Sequence, residues 1–323
     1  MAVHQYPLDK AFLAATWLEA LIYGCFLCVF CFGVYIQVIS TKGRNTHNQV
    51  MFIVSIIMFI LATLHVAMNC FRLIRGFSDF RDTPGGPVGY LGNLALWDHV
   101  FKDTLYATQS ILGDAVAVYR CWILWNKDYR FIIFPSMLLI GSTVSGYMVC
   151  GLYTSVDPTA TVFNPRLTDW ITTFYSIAVA QNIITTGLMA IRLWQGEKKS
   201  ARYRVDKGNL MPVLRILVES AALYLFIEIL LLSLYSANYN AQYVLLEIVT
   251  PTVGITFGMI SIRITMRAHQ KSQISYDSGN LSEGRQTFGS IPLRRITVNI
   301  SKHTEDDTSR GGDEKENSMG VAV

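Results

Sequence analysis

Residues 97–125 read WDHVFKDTLYATQSILGDAVAVYRCWILW and combine apolar stretches with five charged side chains. Trp97 stands at one end and Trp122 at the other, about 25 residues apart, which is about 37 Å at the helical rise of about 1.5 Å per residue. Tryptophans are enriched at the two boundaries of a membrane, where this spacing would put them. The segment therefore predicts a membrane-crossing helix, with its charges turned toward the protein interior or water.

The rest of the chain is more apolar. Of the 323 residues, 51% are hydrophobic and 15% are charged, against about 25% charged in soluble globular chains. A hydrocarbon core of about 30 Å needs about 20 apolar residues per helix. Six further stretches meet that requirement: residues 17–40, 49–73, 131–153, 170–194, 211–236 and 243–265. The sequence thus predicts an all-α, polytopic membrane bundle of seven transmembrane helices, with residues 97–125 as the third.

The distribution of Lys and Arg predicts the orientation of this bundle. With seven spans and the N-terminus outside, twelve Lys or Arg lie in inner segments and four in outer ones, as the positive-inside rule requires. In a six-span alternative, residues 97–125 do not cross and both ends lie inside. Thirteen Lys or Arg would then lie in inner segments and three in outer ones. The tryptophan spacing and the apolar run 111–124 favour seven spans. We expect an outer segment at 1–16, the bundle at 17–265 and a disordered, Ser/Thr-containing cytosolic tail at 266–323.

Polar and charged residues inside the spans are costly in lipid and invite a functional interpretation. Eight of them fall in the outer half of the predicted bundle: Glu19, His65, Asn69, Asp98, Lys102, Asp103, Glu228 and Glu247. We expect them to line a cavity open to the outside, although for Glu19, Asp98 and Glu247, close to span ends, interfacial positions and interhelical hydrogen bonds are favoured. The candidate ligand-binding residues are His65, Asn69, Asp103 and Glu228.

A second set of charges lies from the middle of the membrane to the inner face: Asp114, Arg120, Arg215, Glu219 and Arg263. Asp114 and Arg120 are six residues apart and so point about 120° away from each other, which rules out a pair within the helix. Arg215 and Glu219 can pair with each other at i and i+4. Alternatively, Glu219 pairs with Arg120 and locks an inactive arrangement. The candidate conformational switch comprises Asp114, Tyr119, Arg120 and Glu219.

Three further patterns are interpreted as packing. Residues 254–258, GITFG, have the glycine spacing that lets helices approach closely, with Pro251 one turn earlier. Gln181, Asn182, Thr185 and Thr186 make a polar stripe on the fifth predicted span, suited to interhelical hydrogen bonds or to a ligand. Cys25, Cys28 and Cys31 spread over about 120° of their helix, so we expect buried free cysteines and no metal site.

Several activities are excluded by the residue patterns. The last predicted span contains no Lys for a retinal Schiff base, and too few His lie in the spans for a multi-haem cytochrome. There is no His-Glu-x-x-His motif and no Gly-x-Ser-x-Gly motif. The basic residues form no single stripe, as a nucleic-acid-binding surface would. We therefore expect neither an enzyme nor a cofactor, and no catalytic residues or nucleic-acid partner.

Two segments carry a resemblance to a known family: GDAVAVYRCWILW at 113–125 and GITFGMISIR at 254–263. Together with the bundle around them, they resemble a large group of uncharacterised seven-span proteins of mushroom-forming fungi that are described as receptor-like. The resemblance implies a seven-helix receptor-like fold without naming a ligand. Tyr119 and Arg120 also lie where rhodopsin-type receptors carry an acidic-Arg-aromatic triplet, with Tyr119 here in the place of the acid.

These observations predict a receptor-like protein of the plasma membrane that binds a small ligand or ion from the outer side. The basic loop after the fifth span would meet a cytosolic partner such as a G protein, through Lys198, Lys199, Arg202 and Arg204. One alternative is an ion- or proton-coupled transporter or a channel that uses Asp114, Glu219 and Glu228. However, Glu219 and Glu228 are nine residues apart and point to opposite sides of their helix. Another alternative is a structural membrane protein.

Overall fold

The computed structural model describes residues 6–39, 46–155, 162–201 and 211–283. Within these ranges the chain forms eight α-helices, a short 3-10 helix at Tyr129–Phe131 and no β-strand. The helices are α1 (Leu8–Ile39), α2 (Thr46–Ser78), α3 (Gly86–Leu91), α4 (Trp97–Leu124), α5 (Ile133–Tyr153), α6 (Pro165–Ala201), α7 (Met211–Ser236) and α8 (Gln242–Glu283). The predicted all-α fold is confirmed for this part of the chain.

Six of the helices in the described ranges are long and apolar enough to cross a membrane: α1, α2, α5, α6, α7 and α8. They coincide with the six apolar stretches predicted from the sequence. Large apolar side chains on them are exposed, among them Phe32, Ile60, Ile140 and Phe226. A water-soluble protein does not tolerate so many exposed apolar residues, whereas lipid is the natural solvent for them. The chain is therefore a multi-pass integral membrane protein.

The polar helix α4 lies inside the bundle. It packs against α2, α5 and α6, and half of its 28 residues are buried, including all five charged ones. Because of its charged residues, α4 is not among the six helices that are apolar enough to cross a membrane. These charged side chains are buried against other parts of the protein. A helix of this length is about 42 Å long, comparable with its neighbours.

Helix α8 approaches α1 and α4 closely. A Cβ atom added to Gly254 would lie 2.5 Å from the Phe26 ring, and one added to Gly258 would lie 2.8 Å from Val29. On the other side, a Cβ atom at Gly113 of α4 would lie 2.6 Å from Val253. The packing interpretation of the GITFG segment is thus confirmed, with α1 as the partner helix.

The C-terminal part of α8 extends further than the sequence predicted. The helix continues to Glu283, past residue 265, where we expected the bundle to end and a disordered tail to begin. The compact unit that contains the bundle ends at Ile274, and the helical residues 275–283 belong to a second unit. The rest of the predicted tail, residues 284–323, lies outside the described residues.

Candidate functional site

A buried ionic cluster lies where α1, α2, α4 and α8 meet. His65 stands between two carboxylates, with Nδ1 2.6 Å from Glu19 Oε1 and Nε2 3.5 Å from Glu247 Oε2. Asn69 Nδ2 donates to Glu19 Oε2 and to Glu247 Oε2, each at 2.5 Å. Lys102 Nζ donates to Glu247 Oε1. The five side chains are at most 7% exposed, so they satisfy one another inside the protein.

The cluster continues along α4 from Lys102. Asp103 Oδ1 is 3.6 Å from Lys102 Nζ, and Asp103 Oδ2 is 3.6 Å from His99 Nε2. His99 Nδ1 lies 2.6 Å from Arg72 Nη1 of α2. Because a guanidinium only donates, Nδ1 of His99 is the acceptor and the imidazole is neutral.

Arg72 joins this network to the short helix α3. Its Nη2 donates to the Leu91 carbonyl at 3.0 Å, and its Nε lies 3.3 Å from Asp98 Oδ2. The Tyr90 hydroxyl donates to the same Asp98 oxygen at 2.7 Å. Burial and this hydrogen bond raise the pKa of Tyr90 to about 12, so its hydroxyl remains a donor at neutral pH. A continuous chain of polar contacts thus links α1, α2, α3, α4 and α8.

The formal charges of this network do not cancel. It contains four carboxylates and two permanent cations: Glu19, Asp98, Asp103, Glu247, Arg72 and Lys102. His99 is neutral, and His65, between two carboxylates, is the imidazole placed to carry a positive charge. Even with His65 protonated, four negative charges face three positive ones. The formal charge of the network, with all four carboxylates ionised, is therefore −1 when His65 is protonated and −2 when it is neutral.

Asp103 is the carboxylate of this network that borders empty space, and it accepts a hydrogen bond from the Tyr153 hydroxyl. Its nearest charged partners are 3.6 Å away, and its Oδ1 has no hydrogen-bond partner in the described part of the chain. It lines two adjoining cavities of about 20 and 30 Å³. Tyr153 and Tyr175 line both, and Tyr235 and Tyr243 add two more rings to one of them. We call the four tyrosines and Asp103 the tyrosine cage.

The structure brings together seven of the eight residues that were predicted in the outer half: Glu19, His65, Asn69, Asp98, Lys102, Asp103 and Glu247. Of the four candidate ligand-binding residues, Asp103 lines a cavity, whereas His65 and Asn69 lie in the ionic cluster beside it. Glu228 is elsewhere, between α6 and α7. The structure does not place all eight along one open cavity, because most of these side chains bury one another.

Sequence reasoning missed Arg72 and the four tyrosines. Arg72 could have been found from helical phase, since it lies three residues after Asn69 and seven after His65, on the same face of α2. His99, Lys102 and Asp103 likewise share one face of α4. The tyrosines carry no comparable signal, because an aromatic residue in an apolar span usually indicates core packing or the membrane interface.

The inner part of α4 makes a different set of contacts. Arg120 Nη2 donates to Ser261 Oγ at 2.7 Å and to the Phe257 carbonyl at 3.2 Å, and the guanidinium lies 4.6 Å from the centre of the Phe257 ring. Both partners are on α8, whereas one of the two alternatives from the sequence pairs Arg120 with Glu219 on α7. Glu219 is on an exposed face of α7. Carbonyl, hydroxyl and ring contacts from the closely packed α8 thus surround Arg120, and the Arg120–Glu219 lock stays a prediction.

The polar stripe on α6 faces α7. Asn182 Nδ2 donates to Glu228 Oε2 at 3.1 Å, and Thr186 Oγ1 lies 3.2 Å from Asn182 Oδ1. Glu228 is 5% exposed. Since Glu219 on the same helix is exposed, the prediction that the two glutamates point to opposite sides is confirmed. A single-file path through both is therefore not supported.

Tyr119 and Lys198 lie at the same end of the bundle as Arg120. The ring of Tyr119 is 6.0 Å from that of Trp122. Lys198 Nζ lies 3.8 Å from the centre of the Trp194 ring, a cation–π contact on an exposed part of α6. The other predicted partner-binding side chains, Lys199, Arg202 and Arg204, lie outside the described residues.

The cysteines and one histidine-carboxylate group bear on metal binding. Cys25, Cys28 and Cys31 are exposed on α1, so they face the surroundings and are not buried as we expected. Glu19, His65 and Glu247 have ligand atoms within 4.8 Å of one another. Their carboxylates already accept from His65, Asn69 and Lys102, so a metal ion would have to displace an ammonium group. The hydrogen bonds and ion pairs of Glu19, His65 and Glu247 thus account for their proximity without a metal ion.

Comparisons with protein-family models, with curated proteins and with solved structures found no match to this chain. The likeness to the fungal receptor-like group stays a prediction.

Proposed function

We propose that this chain is a seven-helix receptor-like protein of the plasma membrane, related to the fungal group, with the N-terminus outside and the C-terminus inside. It binds a small organic ammonium compound in the tyrosine cage and signals to a cytosolic partner such as a G protein. The observation that carries the proposal is the buried carboxylate of Asp103, whose Oδ1 has no hydrogen-bond partner among the described residues, beside four tyrosine rings.

The burial of α4 supports the seventh crossing. A helix with five charges cannot face lipid at acceptable cost, yet all five of these charges are buried against other parts of the protein. The packing of α4 against three apolar helices, α2, α5 and α6, supports a shared depth in the membrane. Seven crossings put the two ends of the chain on opposite sides.

Electrostatics and ring chemistry support a cationic ligand. With its carboxylates ionised, the ionic network has a formal charge of −1 or lower, and Asp103 Oδ1 has no hydrogen-bond partner among the described residues. Tyrosine rings attract cations through their electron-rich faces, by about 0.5–2 kcal/mol per contact. A cationic headgroup in the tyrosine cage would therefore gain both a carboxylate partner and aromatic contacts.

The position of Asp103 on α4 supports signalling. The same helix holds Arg120, which is bound to α8, and ends at Leu124, whose carbonyl accepts from Arg192 Nε of α6 at 3.1 Å. A ligand that moves the outer half of α4 would change both inner contacts. Such a rearrangement between two packings is how helical receptors transmit binding.

Protonated ethanolamine is a suitable first probe, with 1-propanol as its uncharged isostere. For the full chain in lipid nanodiscs, we expect ethanolamine to raise the unfolding temperature saturably and 1-propanol to leave it unchanged, because binding to the folded state stabilises it. Asp103→Asn should abolish the response, whereas Asp79→Asn, at an exposed carboxylate, should keep it. Equal responses to both compounds would contradict a cationic ligand. Flux of ethanolamine into proteoliposomes would favour a transporter instead.

A further inference from the structure

A larger cavity, of about 60 Å³, lies nearer the Arg120 end of the bundle, between α4, α6, α7 and α8. Nothing in the proposed ligand binding uses this space. Two residues of α4 with opposite charges line it, Asp114 and Arg120. They are 4% and 9% exposed, so their charges must be compensated inside the protein.

The contacts of Asp114 and Arg120 do not supply this compensation. Asp114 Oδ2 and Arg120 Nε each lack a hydrogen-bond partner among the described residues. Arg120 is held by neutral groups on α8, the Phe257 carbonyl and Ser261 Oγ. A carboxylate and a guanidinium thus border one cavity without touching each other.

These two charges determine which occupant fits. Their formal charges cancel, so a bound cation would pair with Asp114 and repel Arg120, and a bound anion would do the reverse. A neutral molecule that both donates and accepts hydrogen bonds suits both groups, since it can donate to Asp114 and accept from Arg120. Water is the smallest such molecule. At about 10–15 Å³ for each water, the cavity holds about four to six of them.

The hydroxyl groups of the lining also require a donor. Thr185 Oγ1 donates to the Gln181 carbonyl at 2.8 Å, and Thr256 Oγ1 donates to the Thr252 carbonyl at 3.0 Å. Each hydroxyl has one proton, so both groups are acceptors toward the cavity. The Tyr224 hydroxyl, also in the lining, lies beside Glu228. Water can donate to these oxygens, as an anion cannot.

The shortage of partners continues from this cavity toward the tyrosine cage. Within the described part of the chain, hydrogen-bond partners are lacking for Oε1 of Gln109 on α4, for both amide atoms of Gln181 on α6 and for Oγ1 of Thr250 on α8. All three residues are at most 1% exposed. Leaving so many buried polar atoms unsatisfied would cost a large part of the folding free energy. The interior beside α4 therefore needs hydrogen-bonding partners beyond its own side chains.

We infer that the cavity between α4, α6, α7 and α8 binds a cluster of about four to six water molecules, which joins Asp114 and Arg120 in a water-bridged ion pair. The water donates to the carboxylate and accepts from the guanidinium, so both charges are compensated without direct contact. Because water molecules can exchange partners, the pair can persist while α4 shifts relative to α8. The inference does not depend on the proposed receptor function.

Hydroxyl-radical footprinting by X-ray irradiation of the full chain in nanodiscs tests for this water, because radicals formed from internal water oxidise the side chains beside it. Met189 lines the cavity and is 5% exposed, whereas Met58 is 0% exposed in the apolar core and does not line it. We expect Met189 to be oxidised several-fold faster than Met58. Ala221→Leu should lower the Met189 rate to that of Met58, because a leucine at this buried lining position would displace the water. Gly187→Ala, with open space around its Cβ atom, should keep the wild-type rate.

A double-mutant cycle tests the ion pair separately from the hydration. Asp114→Asn and Arg120→Gln each leave one buried charge without its counterpart, so the double variant should be less destabilised than the sum of the single variants. Additive effects would overturn the ion pair. Equal oxidation of Met189 and Met58 in the wild type would overturn the inference as a whole, since the cavity would be dry. Fast oxidation of Met189 that persists in Ala221→Leu would also overturn it, since the water would then lie elsewhere. The wild-type footprint alone decides the matter if a variant does not fold.

Discussion

Replacing Lys102 with methionine should lower the free energy of unfolding by about 3–5 kcal/mol, the cost of removing one partner from a buried ion pair. Lys102 is 3% exposed, and its ammonium group binds Glu247 and lies 3.6 Å from Asp103. Methionine keeps most of the volume and the apolar stem of lysine. The loss of stability therefore measures the contribution of the ammonium charge. Without Lys102, the network would hold two uncompensated negative charges in place of one. Reversible unfolding of the purified protein in mixed micelles measures the effect.

The chain offers a matched control for this substitution. Arg75 and Asp79 on α2 form an ion pair at 3.7 Å whose side chains are 35% and 60% exposed. Exposed pairs contribute about 0–1 kcal/mol, so Arg75→Met should leave stability nearly unchanged. The double variant Lys102→Met/Glu247→Gln should be less unstable than the sum of the single variants. Equal effects of Lys102→Met and Arg75→Met would show that the ionic cluster is not buried as described.

Gly254→Ala should lower the free energy of unfolding by about 1–3 kcal/mol, the usual cost of overpacking a core. The added Cβ would lie 2.5–2.8 Å from three atoms of the Phe26 ring. Phe26 is itself 2% exposed, so its ring has little room to move. The steric overlap would push α8 away from α1, close to where both helices contribute a carboxylate to the ionic cluster. The same unfolding measurement applies.

Gly24→Ala is the control for Gly254→Ala, because nothing lies within 4 Å of a Cβ atom at that position of α1. It should be neutral or slightly stabilising, since alanine favours a helix more than glycine does. The double variant Gly254→Ala/Phe26→Leu should recover part of the lost stability. If Gly254→Ala and Gly24→Ala behaved alike, the close packing of α1 and α8 would be wrong.

The apolar helices were predictable because each of them is visible in the sequence as a run of about 20 mostly apolar residues. The fifth predicted span, residues 170–194, lies within α6, and the second, residues 49–73, lies within α2. Helix α4 gives a weaker signal because its charges are hidden by neighbouring helices, and a window of sequence contains no information on those neighbours. The tryptophan spacing indicated a helix there, and the structure has one at Trp97–Leu124.

For the candidate site, the sequence predicted the membrane depth of each polar residue but not which residues contact one another. Residue spacing placed His65, Asn69 and Lys102 in one layer, where the structure brings them together. Which residues pair depends on how each helix is rotated about its axis, and this is determined by packing across the whole bundle. Arg120 therefore contacts Phe257 and Ser261 of α8, and Glu228 pairs with Asn182 away from the ionic cluster. The tyrosine cage arises from rings on α5, α6, α7 and α8 that no local pattern connects.

The most direct test of the account asks whether α4 crosses the membrane, because the seven-helix topology depends on it. A glycosylation site in a flexible N-terminal extension of about 20 residues should be used in cells, while the natural sequons at Asn280 and Asn299 stay unmodified. The two ends of the chain would then lie on opposite sides, as seven crossings require. If the N-terminal site were ignored while the same extension was accessible from the cytosol, the chain would cross six times and the account would be contradicted.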